Sequence, residues 1–218
     1  MLMKYNINCY ADRCYSQIAC ADVVLLNKVD LVDEEGVSRL QRKIGACNPV
    51  APVFRTIRGQ IDLNHVIGLK AYSTRPFIQK MALLSKEYDL LSSHDHSDPD
   101  HVHLEGDRQP SHLGFTSIQV SCPALTVAQT VKLDEWIRTV LWEGHIPDED
   151  QHEVEVLRCK GVYALQGGTL YVLQGVRNMY EISEVEESDI GIPDEGKLVF
   201  IGKSLDDIVR KSLLNVFR

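Results

Sequence analysis

An apolar run that ends in a polar turn constrains this chain most strongly. Residues 23–26, VVLL, are continuously apolar, and Asn27, Lys28 and Asp30 follow at once. A short run of this kind predicts a buried strand of a parallel sheet. The polar side chains would then lie at the carboxyl end of that strand, where parallel sheets bind ligands.

The neighbouring segments favour a parallel α/β layer. Residues 11–20 have the spacing of a helix end, and residues 32–49 predict a second helix with acids near its start and Arg42 and Lys43 near its end. Residues 51–57, APVFRTI, predict the next strand. Strand, helix and strand joined by short connections are typical of parallel α/β structure.

The order of Asn27, Lys28 and Asp30 suits recognition of guanine. Guanine presents a ring N–H and an exocyclic amine on one edge, and the Asp30 carboxylate can accept hydrogen bonds from both. Adenine would leave that carboxylate unpaired. Asn27 can bond the other edge of the base and tie the loop together, while the stem of Lys28 can lie along the ring face. The alternative is a turn that carries these residues by chance, and the flanking strand and helix favour the guanine site.

A phosphate-binding loop is not found in the same sequence. No G-x-x-x-x-G-K-[ST] pattern occurs in the 218 residues. The nearest approximation pairs Gly196 with the GKS of residues 202–204, but five residues separate the two glycines and those five predict a strand. We expect a strand end and a turn there, with Ser204 as the cap of a helix and Asp206 and Asp207 in its first turn.

A polar, histidine-rich segment covers residues 92–112 and predicts a linker. Its imidazoles suit Zn²⁺ and similar ions, although a closed structural site needs fixed geometry. Two interpretations stay open: a solvated linker, or a weak metal site formed by His94, His96, His101 and His103. The six cysteines show no C-x-x-C spacing, and we expect most of them to be buried free thiols.

The overall charge and hydropathy limit the partners. A formal net charge of −8 argues against a nucleic acid held by phosphate contacts and weakly against an anionic membrane surface. No apolar run approaches the roughly 18 residues of a membrane span, and the first residues lack the features of a secretory signal. We expect a cytoplasmic protein, with the nucleus as the alternative.

The second half of the chain has a different pattern. From residue 113 the predicted order is β-α-β-β-β-α, which indicates a small antiparallel sheet with helices on one face. We therefore expect three parts: residues 1–75 from a parallel α/β domain, a helix and linker over residues 76–112, and an α+β domain over residues 113–218 that folds independently. The first part should expose an apolar sheet edge and face.

These segments together resemble the CobW-type GTPases, a family of metal-transferring proteins that includes eukaryotic zinc metallochaperones. The histidine-rich linker is similar in position to that of the family. The matching stretches are QIACADVVLLNKVDL, NPVAPVFRTIRGQIDL, LDEWIRTVLW, VLRCKGVYAL, YVLQGVRNMYEI and KLVFIGKSLDD.

The resemblance implies an incomplete P-loop GTPase-like parallel α/β segment followed by a separate α+β C-terminal domain. For the family it implies GTP with Mg²⁺, and delivery of zinc or another metal to a client metalloprotein. Asn27, Lys28 and Asp30 carry over as guanine contacts, and the four linker histidines as possible metal contacts. No catalytic residue carries over.

The departures from the family decide what we expect of the activity. The phosphate loop, the Mg²⁺-handling switches and the C-x-C-C metal motif of the family do not occur in this sequence. We expect a fragment, arising from an incomplete gene model, that binds guanine nucleotides weakly if at all and does not hydrolyse GTP alone. The alternatives are a nucleotide-independent interaction module and a metal carrier that uses the linker histidines.

Overall fold

The computed structural model describes residues 7–69, 114–147, 149–185 and 195–218. It confirms the predicted parallel segment. Strands β1 and β2 pair in parallel, from Val24 opposite Val53 to Asn27 opposite Thr56. The elements of this segment are α1 (Ile7–Cys20), β1 (Val24–Asn27), α2 (Glu34–Cys47) and β2 (Val53–Thr56).

The start of α2 follows from its sequence, whereas the burial of β1 does not. The Asp33 carboxylate caps α2 by accepting a hydrogen bond from the Gly36 N–H at 2.9 Å. No residue of β1 is fully buried, and Leu25 is 43% exposed. Among the described residues β1 has one neighbouring strand, and a two-stranded sheet is too small to cover it. The exposure of Leu25 agrees with the expected exposed apolar face, whereas the expected full burial of β1 is wrong.

An antiparallel sheet of five strands forms the second half, with a small separate hairpin beside it. The strand order in the sheet is β3-β9-β6-β7-β8, and β4 pairs with β5 in the hairpin. The elements are β3 (Phe115–Cys122), α3 (Val127–Arg138), β4 (His145–Ile146), β5 (Glu149–Glu153), β6 (Glu155–Ala164), β7 (Leu170–Val176), β8 (Met179–Glu184), β9 (Gly196–Lys203) and α4 (Asp207–Val216). The predicted order is right, but this part has more strands than predicted.

One face of the sheet packs against α3 and α4, as predicted. Thr126 and Gln129 form a capping box at the start of α3, which fixes where the helix begins. The Trp136 ring meets the Phe200 ring edge-on, with 5.3 Å between their centroids. The Gln129 Nε2 atom donates a hydrogen bond to the Phe217 carbonyl at 2.7 Å, which joins α3 to the end of α4.

The other face of the sheet packs against the parallel segment, so the expectation of helices on one face only is wrong. Ala19 of α1 and Cys47 of α2 lie in one core with Leu157, Val199 and Ile201 of the sheet. The Ser117 hydroxyl also donates to the Ala46 carbonyl at 3.0 Å. The two parts therefore share a core. The cause is the apolar character of both sheet faces: seven of the eight residues of β9 are buried.

The stretch around Gly202 is a strand end and not a phosphate loop. Gly196–Lys203 pairs with β3 on one side and β6 on the other. The predicted helix cap is wrong, however. Ser204 has a φ of 57°, and Asp206 caps α4 by accepting hydrogen bonds from the N–H groups of Ile208 and Val209. Ser204 instead turns the chain between β9 and the cap.

Some predicted features fall outside the described residues. The linker histidines His94, His96, His101 and His103 are among them. Of the five cysteines with described side chains, Cys47, Cys122 and Cys159 are buried, Cys20 is partly buried and Cys14 is exposed, so the expectation of buried thiols holds for three of the five. Within the described ranges no helix is long and apolar enough to cross a membrane.

Candidate functional site

The carboxyl end of β1 brings the three predicted guanine contacts together. Lys28 has φ 64° and ψ 33°, a left-handed conformation that costs an ordinary residue about 1–2 kcal/mol. The Asn27 Oδ1 atom offsets that cost by accepting a hydrogen bond from the Lys28 N–H at 2.9 Å. The turn leads into a short 3₁₀ helix, Val29–Leu31, which holds Asp30 at the surface.

Asn27 ties the ends of the two parallel strands. Its Oδ1 atom also accepts hydrogen bonds from the Thr56 hydroxyl at 3.1 Å and from the Gly59 N–H at 3.1 Å. With three donors around Oδ1, the orientation of the amide is fixed. The Nδ2 atom has no acceptor in the described part of the chain, so its two hydrogens are available to a ligand.

The turn after β2 supplies one of those donors. Arg58 and Gly59 have φ values of 53° and 71°, and the Gln60 N–H donates to the Ile57 carbonyl at 3.0 Å. Two successive left-handed residues closed in this way form a type I′ turn. Thr56 and Gly59 were not predicted as parts of the site. The available signal was the glycine just after a strand predicted to lie parallel to β1, since parallel strands end at the same sheet edge.

Two charged groups stand free at this edge. The side chains of Lys28 and Asp30 are exposed, and neither forms an ion pair or side-chain hydrogen bond within residues 7–69 or the other described ranges. A carboxylate without a partner can accept two hydrogen bonds from a ligand at once. The Asp30 carboxylate can therefore receive the two donors on one edge of guanine.

The two sides of the base suit the two side chains. Guanine carries acceptors at N7 and O6, which match the N–H groups of Asn27 Nδ2. Adenine places an amine donor where guanine has O6, and it offers no pair of donors to Asp30. The arrangement discriminates between the two purines through the pattern of donors and acceptors.

The described residues contain no candidate metal centre. There, no three His, Cys, Asp or Glu side chains cluster closely enough to hold a metal ion. The only metal contacts predicted from the sequence, the linker histidines, lie outside those residues.

Two family models match this chain. The nucleotide-binding domain of CobW, HypB and UreG matches residues 8–55, and the cobalamin synthesis protein CobW C-terminal domain matches residues 126–217. The chain belongs to the CobW family. The first match includes the Asn27–Asp30 turn, and the second spans the region from α3 to α4, so the family covers both halves of the fold.

Curated relatives of this CobW-family chain include two fungal proteins. Zinc-regulated GTPase metalloprotein activator 1 of Schizosaccharomyces pombe is 26% identical over 205 residues, covering 89% of this chain and 48% of the relative. The protein of the same name in Saccharomyces cerevisiae is 24% identical over 217 residues, covering 90% and 46%. The chain thus spans about half the length of these relatives.

Solved structures share the fold of this CobW-family chain. The Zn(II)-bound YjiA GTPase from E. coli superposes with a TM-score of 0.64 at 21% identity, covering 97% of this chain and 58% of that one. A Zn(II)-bound triple mutant of YjiA gives a TM-score of 0.62 at 22% identity, with 94% and 54% covered. At this identity the likeness establishes the architecture, in which a parallel α/β part packs on an antiparallel sheet.

Proposed function

We propose that this chain provides the guanine-recognition edge and the C-terminal domain of a GTP-dependent zinc metallochaperone. One observation carries the proposal: Asn27 is fixed through its Oδ1 atom, while its Nδ2 atom and the Asp30 carboxylate remain open to a base. The names of the relatives, a zinc-regulated GTPase metalloprotein activator and a GTPase bound to Zn(II), support the same activity class.

Three purine monophosphates test the base specificity with equal phosphate charge. GMP offers Asp30 two donors, IMP offers only the ring N–H, and AMP offers neither. A hydrogen bond to a charged group contributes about 1.5–3 kcal/mol, so each step should weaken binding by about tenfold or more. NMR titration of the amides of residues 27–31 should give the order GMP, IMP, AMP, from tightest to weakest.

Charge-neutral variants show whether Asp30 sets that order. Asp30→Asn places an amide donor opposite the amine of guanine, so GMP should bind no better than IMP. Glu35→Gln removes an equally exposed charge from the first turn of α2 and should keep the order of the parent protein. Equal binding of all three nucleotides by the parent protein would refute the guanine site.

We further propose that these 218 residues do not hydrolyse GTP by themselves. Most of the affinity for a nucleoside triphosphate comes from contacts between its phosphates and a glycine-rich loop with its lysine. The sequence contains no such loop. Phosphate release at the background rate, at a protein concentration where GMP binds, is the expected result. Turnover above background would contradict this part of the proposal and leave the guanine site intact.

Zinc transfer to a client metalloprotein and a cytoplasmic location complete the proposal. The support for zinc comes from the relatives and from the four linker histidines. A Zn²⁺ titration of a variant with His94, His96, His101 and His103 changed to Ala, beside the parent chain, tests whether this segment contributes. Unchanged stoichiometry and affinity would exclude the linker as a zinc site.

A further inference from the structure

A partly buried ionic contact, in which the Asp22 side chain is 30% exposed, joins the antiparallel sheet to the strand that carries the guanine motif. Asp22 lies two residues before β1, and its Oδ1 atom accepts hydrogen bonds from the Arg158 guanidinium and from the Lys160 Nζ atom, the latter at 3.3 Å. Arg158 also donates to the Cys20 carbonyl. The Arg158 and Lys160 side chains are only 3% and 11% exposed, so the contact lies inside the interface between the two parts.

A β-bulge turns Arg158 towards that interface. Val156 pairs with Gly202 of β9 and Arg158 with Ile201, so Leu157 is an extra residue in β6. A bulge of this kind places two successive residues on one side of the sheet. Leu157 accordingly lies in the core shared with α1, and Arg158 reaches the end of α1 on the same side.

The bulge depends on a glycine in the neighbouring strand. A Cβ atom on Gly202 would lie 1.9 Å from the Glu155 carbonyl oxygen, far inside contact distance. The glycine lets the two backbones approach where β6 bulges. The direction of the Arg158 side chain is therefore built into the backbone of the sheet and does not depend on side-chain packing alone.

The energetics make Asp22 a strong anchor. Removing the carboxylate partner of a buried cation costs far more than the loss of a surface ion pair. Burial, followed by the neighbouring Arg158 charge, lowers the pKa of Lys160. Both cations are therefore stabilised by keeping the Asp22 carboxylate in place.

The anchor stands at the opposite end of β1 from the guanine contacts. Asn27 lies five positions after Asp22, roughly 16 Å along an extended chain. β1 is only partly covered, because Leu25 is exposed and the strand has a single neighbouring strand, β2, among the described residues. Its start is held by Arg158 and Lys160 through Asp22 and by Asn48 through the Ala21 carbonyl, and its end is held by the hydrogen bonds of Asn27 with Thr56 and Gly59.

We propose that Arg158 and Lys160 are positioning residues for the guanine site, which couple occupancy of that site to the seating of the antiparallel sheet on the parallel segment. Arg158 and Lys160 of the sheet bind Asp22, and Asp22 fixes the start of β1. The guanine contacts Asn27, Lys28 and Asp30 lie at and just after the other end of β1. The coupling is reciprocal, since a base bound at one end of β1 strengthens the contact at the other. This inference rests on the proposed function for its ligand, but the contact exists without a ligand.

Hydrogen exchange and GMP titration of the 218-residue chain test the coupling. Arg158→Met removes the charge and keeps the bulk, and Ser117→Ala removes a different hydrogen bond of the same interface. In Arg158→Met we expect exchange at residues 24–28 to accelerate at least about fivefold and GMP affinity to fall by a similar factor. In Ser117→Ala both should stay within twofold of the parent protein. Arg158→Lys should restore part of each loss.

The comparison separates positioning from general stability. If Arg158→Met changed exchange and affinity no more than Ser117→Ala does, the inference would be overturned. Should Arg158→Met fail to fold, Asp22→Asn keeps a hydrogen-bonding group there and must show the same two losses. A parent protein that shows no preference for GMP would refute the proposed function, while the exchange data would still decide whether Arg158 holds β1.

Discussion

The Thr56 hydroxyl donates a hydrogen bond to the Asn27 Oδ1 atom, 3.1 Å away, and so joins the ends of the two parallel strands. Thr56 is buried, whereas Asn27 is exposed. The contact therefore runs from the interior of the protein to the surface of the guanine site. Because β1 and β2 are paired, this contact fixes the orientation of the Asn27 side-chain amide.

Removing that hydroxyl should weaken the site without rearranging it. Thr56→Val keeps the shape of the side chain and leaves Asn27 Oδ1 with two of its three donors. We expect the free energy of unfolding to fall by about 1 kcal/mol and GMP affinity to fall severalfold. Thr56→Ser retains the hydroxyl and serves as the control in urea denaturation and NMR titration. Equal GMP affinity in Thr56→Val and the parent protein would show that the amide needs no such support.

Asn48 should be among the most sensitive polar positions. Its Nδ2 atom donates to the carbonyls of Ile18, Ala19 and Ala21 at 2.8, 3.2 and 3.0 Å, and its Oδ1 atom accepts from the N–H groups of Val50 and Ala51. Asn48→Ala would leave most of these buried or partly buried groups without that partner, and we expect a loss of about 3 kcal/mol in urea denaturation.

The control for that experiment is an exposed asparagine in a helix. Asn215→Ala lies in α4, and alanine favours a helix, so stability should change by less than about 0.5 kcal/mol. Similar losses in the two variants would mean that the Asn48 contacts contribute little.

Two glycines offer opposite predictions. Gly202→Ala forces a Cβ atom against the Glu155 carbonyl, so the bulge must shift and stability should fall by about 2 kcal/mol or more. Gly45→Ala meets no atom within 4 Å in the last turn of α2 and should raise stability by about 0.5–1 kcal/mol. Thermal unfolding of the two variants measures both the predicted loss of stability in Gly202→Ala and the predicted gain in Gly45→Ala. A stable Gly202→Ala variant would show that the two strands can separate at little cost.

The buried thiols predict a loss of stability at alkaline pH. Burial raises the pKa of Cys47 to about 11 and that of Cys159 to about 12, from an ordinary value of 9.0. Below pH 9 the thiols are protonated in both states. Above it the unfolded chain ionises first, so stability should decline as the pH rises from 9 towards 11. Urea denaturation of the parent protein and of Cys159→Ala across that range should show a smaller decline in the variant.

The start of α4 provides a test of the corrected cap. Asp206→Ala removes two hydrogen bonds to the first N–H groups of the helix and should cost about 1 kcal/mol. Ser204→Gly relieves a left-handed residue and should be neutral or stabilising. A larger loss in Ser204→Gly than in Asp206→Ala would restore the cap assigned from the sequence.

Local patterns predicted the elements that depend on local chemistry. The apolar run before Asn27 predicted β1, and the acids before α2 predicted its start, because both signals lie within a few residues. Serine and aspartate are both common caps at the start of a helix, and Ser204 and Asp206 both precede α4. The sequence pattern therefore allowed two caps, and the wrong one was assigned. Only the φ of Ser204 shows which of them is the cap.

Features that depend on distant partners could not be predicted. Arg158 pairs with Asp22 across 136 positions of sequence, and nothing near Arg158 indicates a bulge. The turn at Arg177, which separates β7 from β8, contains no glycine, so one long strand was the natural prediction. The packing of the parallel segment on the second face of the sheet could not be predicted, because a strand buried on both faces has a continuous apolar sequence whichever element covers it.

The order of the strands has a consequence during protein synthesis. β3 is an edge strand whose neighbour in the described sheet is β9, which follows it by more than seventy residues. A ribosome that has made everything up to β8 has therefore produced a chain in which β3 still lacks its partner and the centre of the sheet is open. Long-range pairings of this kind slow folding and leave apolar strands exposed to aggregation. We expect the antiparallel sheet to close only after the last residues emerge, at the stage when a nascent chain depends most on chaperones.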